Sequence, residues 1–175
     1  MERTHDQSYN YFMNVNLFDH INLPKERINI PRGDLKESEI ENFCAEYEKK
    51  IKEYGGVDLQ ILGLGVNGHI AFNEPESPFD SRTRIIQLKE DTIEANSRFF
   101  EKKEDVPRQA ITMGIGTIME SKKIILIATG KGKAQAIKDS LEGEISTKCP
   151  ASVLRNHPNV IFVLDKESSS LLSNK

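Results

Sequence analysis

The stretch VDLQILGLG, at residues 57–65, decides the fold class of this chain. It is short, rich in Val, Ile and Leu, and ends at glycine, which is typical of a strand covered on both faces. Two later stretches have the same character: KIILIATG at residues 123–130 and NVIFVLD at residues 159–165. The sequence therefore predicts three parallel strands with both faces buried.

Helical patterns connect and precede these strands. After the first strand they fall at residues 91–99, 107–120, 131–142 and 151–156. Before it, an amphipathic helix lies within residues 8–21, and a second helix begins at a capping box of Ser38 with Glu41. Such alternation implies right-handed crossovers and a parallel sheet. We predict one α/β domain over residues 1–175, a three-layer Rossmann-like parallel sheet flanked by helices.

The composition excludes several classes of partner. The net charge is -3 and the 29% of charged residues carry both signs, so a basic surface for nucleic acid is not expected. Cys44 and Cys149 have neither a metal-binding spacing nor a disulfide pattern, which indicates free thiols in a reducing cytoplasm. No apolar run approaches the ~20 residues of a membrane span, and the first residues lack a signal-peptide pattern. We expect a cytoplasmic protein without a metal; whether it forms a homo-oligomer stays open.

Polar side chains cluster in the loop after the first strand, GLGVNGHIAFNEP at residues 63–75. In open parallel sheets, ligands bind beyond the carboxyl ends of the strands, where loops and helix N-termini converge. A histidine such as His69 can exchange a proton near neutral pH, and Glu74 can orient its ring. The two residues are therefore candidates for a general acid/base pair. Glycines such as Gly63 and Gly65 let the backbone approach a ligand closely. The alternative is a purely structural His-Glu pair; the glycines and the strand-end position favour function.

The loop after the second strand, ATGKGKAQAIK at residues 128–138, predicts an anion site. Free backbone N–H groups at a helix start, with Lys131 and Lys133, suit a phosphate. A solvated first helical turn is the alternative for these lysines. Gln135 replaces the third glycine of the dinucleotide motif, and Ile127 stands where a P-loop begins with glycine, so a nucleotide is disfavoured.

Three arginines form a further group of phosphate candidates, Arg82, Arg84 and Arg98. A guanidinium grips a phosphate in a bidentate fork, whereas an ammonium acts as a point charge. Most surface arginines bind no phosphate, and spacing alone selects none of the three.

These segments together resemble the glucosamine-6-phosphate deaminases. The resemblance is carried by GLGVNGHIAFNEP at residues 63–75, SRTR at 81–84, NSRFF at 96–100, ITMGIGTIM at 111–119 and TGKGKA at 129–134. It runs in order from about residue 7 to residue 165. The 6-phosphogluconolactonases, which are relatives by fold, keep a similar turn but lack the Asn-Glu-Pro that stands here at residues 73–75.

The resemblance implies a cofactor-independent isomerase and deaminase, a hydrolase acting on C–N bonds. It would convert glucosamine 6-phosphate and water to fructose 6-phosphate and ammonia in N-acetylglucosamine catabolism. His69 would open the pyranose ring with Glu74 and Asn67 completing its hydrogen-bonded set, and Arg98 and Lys133 would hold the 6-phosphate. A further set, contacting the substrate through the backbone, is Gly63, Gly65 and Ala71.

The chain departs from the family in three places. Many members have Asp at the position of Asn67, so the polarisation of His69 rests on Glu74 here. In the allosteric branch a basic residue stands at the position of Ile86, so activation by an N-acetylated ligand is not expected. The family begins with a strand, a glycine-rich loop and a strand ending in Asp-Glu-Tyr, all of which precede the part that matches Met1.

We therefore expect this chain to lack the family's first strands and its enolisation base, and not to complete catalysis alone. Three strands are also few for such a sheet. The alternatives are a non-catalytic sugar-phosphate-binding fragment and a 6-phosphogluconolactonase-like hydrolase.

Overall fold

The computed structural model describes residues 1–173. In chain order these residues form α1 (Tyr9–Asn16), α2 (Glu37–Glu53), β1 (Gln60–Gly63), β2 (Arg84–Gln87), α3 (Glu90–Ser97), β3 (Gln109–Thr112), α4 (Ile115–Met119), β4 (Ile124–Ala128), α5 (Ala134–Leu141) and β5 (Val160–Leu164). Short 3-10 helices lie at Phe18–His20, Lys25–Arg27, Lys103–Asp105, Lys131–Lys133 and Pro150–Asn156.

The central sheet consists of β1, β4 and β5, in the order β1-β4-β5 with all strands parallel. This confirms the α/β class and the three predicted strands. Gly63 at the end of β1 lies beside Ile127, and Ala128 at the end of β4 lies beside Leu164. The two loops that carry the candidate site residues, at residues 63–75 and 128–138, therefore leave neighbouring strands at the same edge of the sheet.

Only one face of this sheet is buried by the described residues. Leu62, Ile124 and Leu126 point to the covered face, where the core also includes side chains of α4, α5 and residues 150–156. On the opposite face the exposed apolar side chains are Ile61 (60%), Ile127 (44%), Ile161 (42%) and Val163 (47%). The expectation of burial on both faces, and with it a third layer, is wrong for residues 1–173. An apolar run has the same pattern whether or not something covers its second face.

β2 and β3 form a separate antiparallel pair that the sequence did not reveal. Arg84 lies beside Thr112 and Gln87 beside Gln109, with α3 in the connection between the strands. The helix predicted at residues 107–120 is thus wrong in its first half, and only α4 is helical. The residues of β3 pair with β2, a partner that is remote in the sequence.

The helices otherwise follow their predicted positions with shifted ends. Ser8 caps α1, its Oγ accepting a hydrogen bond from the backbone N–H of Tyr11 at 3.0 Å. The capping box predicted for α2 is wrong by two residues, because the Glu39 carboxylate accepts from the backbone N–H of Lys36 at 2.9 Å. The predicted helix at residues 151–156 is a 3-10 helix.

Candidate active site

The turn after β1 is shaped to hold one imidazole. A Cβ at Gly65 would overlap the His69 ring, and the Gly65 N–H donates to the His69 carbonyl at 2.9 Å. Gly68 has φ +83°, and a Cβ there would lie 2.6 Å from the Cys149 sulfur. The backbone at Gly65 and at Gly68 thus lies against this chain's own side chains. The His69 side chain is partly exposed, at 21%.

His69, Asn67 and Glu74, which we call the His69 array, lie in hydrogen-bond contact. The Asn67 Nδ2 donates to Glu74 Oε2 at 2.8 Å, and the Asn67 Oδ1 lies 2.8 Å from His69 Nδ1. An ionised carboxylate only accepts hydrogen bonds, so the Asn67 amide nitrogen must face Glu74 and its oxygen must face His69. The amide oxygen in turn requires a proton on Nδ1, which leaves the Nε2 of a neutral imidazole as the basic nitrogen.

Glu74 is the buried carboxylate of this array, only 6% exposed. Burial raises its pKa, but hydrogen bonds with His69, Thr92 and Asn67 outweigh burial and lower the pKa of Glu74 to about 2. The direct separation of His69 Nδ1 and Glu74 Oε2 is 3.5 Å, longer than the two contacts through Asn67. Asn67 is therefore the main connection between the ring and the carboxylate.

Asn73, which is fully buried, anchors the far end of the same loop. Its Nδ2 donates to the carbonyls of Ile70 at 3.0 Å and Met113 at 2.9 Å, and its Oδ1 accepts from Arg84 at 2.9 Å. Ala71 has φ +50°, a left-handed conformation that a non-glycine residue adopts at some cost. The loop is thus held by contacts to the β2–β3 pair.

The structure separates the three candidate arginines. Arg82 forms ion pairs with Glu48 and Glu120, both at 2.6 Å. Arg84 donates a hydrogen bond to Asn73 Oδ1. Arg98 caps the C-terminus of α3, is exposed, and lies over the Phe99 ring at 4.7 Å from its centroid. Of the three, Arg98 is the one presented to solvent at a helix end.

The second loop differs in part from its prediction. The Gly130 N–H is not free, since it donates to both carboxylate oxygens of Asp165 at 3.0 and 3.2 Å. Lys131 is exposed, whereas Lys133 is half-buried, and burial lowers the pKa of its ammonium. An anion beside Lys133 would offset that cost of burial.

The arrangement brings some predicted residues together and leaves others apart. Among residues 1–173, no hydrogen bond or ion pair joins Arg98 or Lys133 to the His69 array. Gly63 borders open space, since a Cβ there would meet nothing within 4 Å. Ile86 lies in β2 beside Ala110. A common phosphate held by Arg98 and Lys133, and the backbone contacts of Gly63, Gly65 and Ala71, stay predictions.

Two cavities adjoin the site without enclosing the imidazole. One of about 310 Å³ is lined by Glu74, Arg84 and Lys89, among others. Another, of about 400 Å³, lies between the N-terminal segment and the α3–β3 region, where Asn96 and Phe99 flank the position of Arg98. Across the described residues there is no metal-type cluster of His, Cys, Asp and Glu. None of the helices in that part of the chain has the length and apolarity to cross a membrane.

Sequence reasoning missed Thr92, Glu48 and Asp165. Thr92 donates from its hydroxyl to Glu74, eighteen residues away, and Asp165 holds Gly130 from thirty-five residues away. Glu48 accepts from Thr83 and Thr117 on other elements. No local pattern marks such residues, because each is defined by a partner that only folding brings near.

Similarity to known proteins extends over the whole site. The profile of a family described as glucosamine-6-phosphate isomerases/6-phosphogluconolactonase matches residues 1–162. A glucosamine-6-phosphate deaminase of Thermoanaerobacter pseudethanolicus is 52% identical over 168 residues, which cover 96% of this chain and 66% of that protein. The solved structure of a monomeric glucosamine-6-phosphate deaminase is 43% identical with a TM-score of 0.93, over 98% of this chain and 70% of that one.

More distant structures share the fold alone. A 6-phosphogluconolactonase from Thermotoga maritima aligns with 94% of this chain and 67% of its own at a TM-score of 0.69, but is only 21% identical. The chain spans about two thirds of the length of the deaminases that it matches. It belongs to the glucosamine-6-phosphate isomerase/6-phosphogluconolactonase family, on its glucosamine-6-phosphate deaminase branch.

Proposed function

We propose that this chain carries the ring-opening and phosphate-binding part of a glucosamine-6-phosphate deaminase. The reaction converts glucosamine 6-phosphate and water to fructose 6-phosphate and ammonia. The observation that supports it most is the His69 array, in which a buried carboxylate and an amide orient one partly exposed imidazole at the carboxyl edge of a parallel sheet. The deaminases that the chain resembles at about half identity favour this substrate over a lactone.

His69 would act as the acid and base of ring opening. Its Nε2 takes the proton of the C1 hydroxyl, the C1–O5 bond breaks to leave an aldehyde at C1, and the proton returns to O5. Glu74 and Asn67 hold the ring and stabilise its charged form while the proton resides there. The imidazole ends in the state in which it began.

The later steps depend on the substrate's own amino group. One proton passes from C2 to C1 and a second passes from the amino nitrogen to O1, which together turn the aldehyde into a hydroxymethyl group and the C2 amine into an imine. Water then adds at C2, ammonia leaves, and the 2-ketose remains. The proton transfer between the two carbons needs a second base, a role that we assign to none of residues 1–173. That the chain alone is inactive stays a prediction.

Lys133 and Arg98 would anchor the 6-phosphate. They come from two elements, the loop after β4 and the end of α3, so a phosphate between them would fix one end of an extended sugar. Binding energy from that remote group can then position C1 and C2 at the imidazole. The lowered pKa of the half-buried Lys133 ammonium fits a site that is completed by an anion.

The test measures ammonia release from glucosamine 6-phosphate by a longer version of the chain that supplies the second base, and in parallel the dissociation constant of that sugar phosphate. We expect His69→Ala and Glu74→Gln to lower turnover by ~100-fold or more with a small change in binding. Lys133→Ala should weaken binding by roughly 10-fold, whereas Lys131→Ala, two residues away and exposed, is the matched control and should bind normally.

The outcomes separate the proposal from its alternatives. Unchanged turnover by His69→Ala would remove the assignment of the acid/base. Binding of the sugar phosphate without ammonia release by that longer version would favour the non-catalytic alternative. Hydrolysis of 6-phosphogluconolactone in place of ammonia release would favour the lactonase.

A further inference from the structure

Thr92 connects the His69 array to a helix outside the loop. It lies in the first turns of α3, is 6% exposed, and donates a hydrogen bond from its hydroxyl to Glu74 Oε1. The other carboxylate oxygen, Oε2, accepts from Asn67 at 2.8 Å. The two oxygens of Glu74 are therefore held by donors from two different parts of the chain.

The hydroxyl must be the donor in this contact, because an ionised carboxylate can only accept. A buried carboxylate that loses one of its donors is left with an oxygen removed from water and unpaired, which disfavours the charged form. It is also free to rotate about its last side-chain bond, away from Asn67. Thr92 thus bears on both the charge and the orientation of Glu74.

We propose that Thr92 is a positioning residue for ring opening, whose hydroxyl fixes the Glu74 carboxylate so that Asn67 can hold the His69 ring. The inference deepens the proposed function and rests on it for its catalytic meaning. The position of the carboxylate then depends on α3, the helix whose C-cap is Arg98.

Other charged groups near Glu74 are engaged with different partners. His69 lies 3.5 Å away, while Arg84 and Lys89 line the neighbouring cavity of about 310 Å³ together with Glu76. Arg84 donates to Asn73, and Lys89 donates to the Pro75 carbonyl at 3.2 Å. Substitution of Thr92 leaves these groups in place, so its effect on Glu74 can be read separately.

Two substitutions distinguish a hydrogen-bonding role from simple packing. Thr92→Val keeps the shape of the side chain and removes the hydroxyl, whereas Thr92→Ser keeps the hydroxyl and removes the methyl group. If the residue only filled space, Ser would do more harm than Val. The positioning role predicts the opposite order.

The experiment is a carboxyl carbon-13 NMR titration of the whole chain, with the Glu74 signal assigned by its loss in Glu74→Gln. In the wild type the pKa of Glu74 is about 2. We expect Thr92→Val to raise it by about 1 to 2 units and Thr92→Ser to leave it nearly unchanged. An unchanged pKa in the Val variant, or an equal shift in both variants, would overturn the proposal.

Thr92→Ala provides a second variant without the hydroxyl in case the Val variant does not fold. The titration needs no turnover, so its result is independent of the ammonia assay. A shift in the Val variant, together with no ammonia release by the longer version of the chain, would support the positioning contact while the deaminase assignment fails. Full turnover by a Val variant in which the pKa of Glu74 is unchanged would support the deaminase assignment and overturn the positioning role of Thr92.

Discussion

At the scale of a single residue, Glu74 couples the site to the stability of the fold. Its pKa of about 2 is below the ordinary 4.5, so the carboxylate contributes stability that is fully present above pH 4.5. This contribution is lost as the pH falls through about 2, where the folded form also takes up the proton. We expect the free energy of unfolding to fall by up to about 3 kcal/mol from this group alone.

The measurement is urea unfolding of the wild type and of Glu74→Gln at a series of pH values from 6 down to about 2. The variant should be less stable at pH 6, and its stability should depend less on pH, so the two curves converge in acid. Parallel curves would mean that the Glu74 carboxylate is not stabilised by its donors.

At the scale of elements, Glu48 of α2 joins α4 to the segment that precedes β2. Its carboxylate accepts from the Thr83 backbone N–H at 2.8 Å, from the Thr117 hydroxyl at 2.6 Å on α4, and from Arg82. Burial raises the pKa of Glu48, but these bonds outweigh burial and lower it. We predict that Glu48→Gln destabilises the chain by about 2 to 4 kcal/mol, because an amide cannot accept at both ends and Arg82 loses its inner partner.

Glu46→Gln is the matched control on the same helix. The Glu46 side chain is 73% exposed, and its substitution should change the free energy of unfolding by less than about 0.5 kcal/mol. Equal effects of the two variants in urea unfolding would contradict the role of Glu48.

At the scale of the whole molecule, the open face of the sheet is the most consequential feature. Leu126 and Ile127 are neighbours on β4 and point to opposite faces, the first fully buried and the second 44% exposed. We predict that Leu126→Ala costs about 3 to 5 kcal/mol, as core truncations do. Ile127→Ala should cost only about 1 kcal/mol, mainly in strand propensity.

Thermal and urea unfolding of the two variants measure this difference. Equal losses, or a loss that grows with protein concentration for Ile127→Ala, would mean that another chain or segment covers the face in solution. The position of Ile127 makes the test specific, since it sits at the edge from which the second loop departs.

The fold class and the contacts of Asn67 with His69 and Glu74 were largely predictable, because both rest on local patterns. The apolar runs of β1, β4 and β5 and the glycines around His69 are signals within a few residues of each other. β2 and β3 were missed because each pairs with a strand that is remote in the sequence. The role of Arg82 was undecidable from spacing, since Glu48 and Glu120 lie 34 and 38 residues away.

The sequence by itself determined the parallel α/β architecture and identified the loop at the carboxyl edge of the sheet that holds His69. Periodicity and backbone freedom act locally, and a single chain shows them directly. Only the tertiary structure decided which donors hold Glu74, and that within residues 1–173 Arg98 has no carboxylate partner and one face of the sheet is uncovered. Hydrogen bonds and burial depend on which remote segments meet, and that is a property of the folded chain.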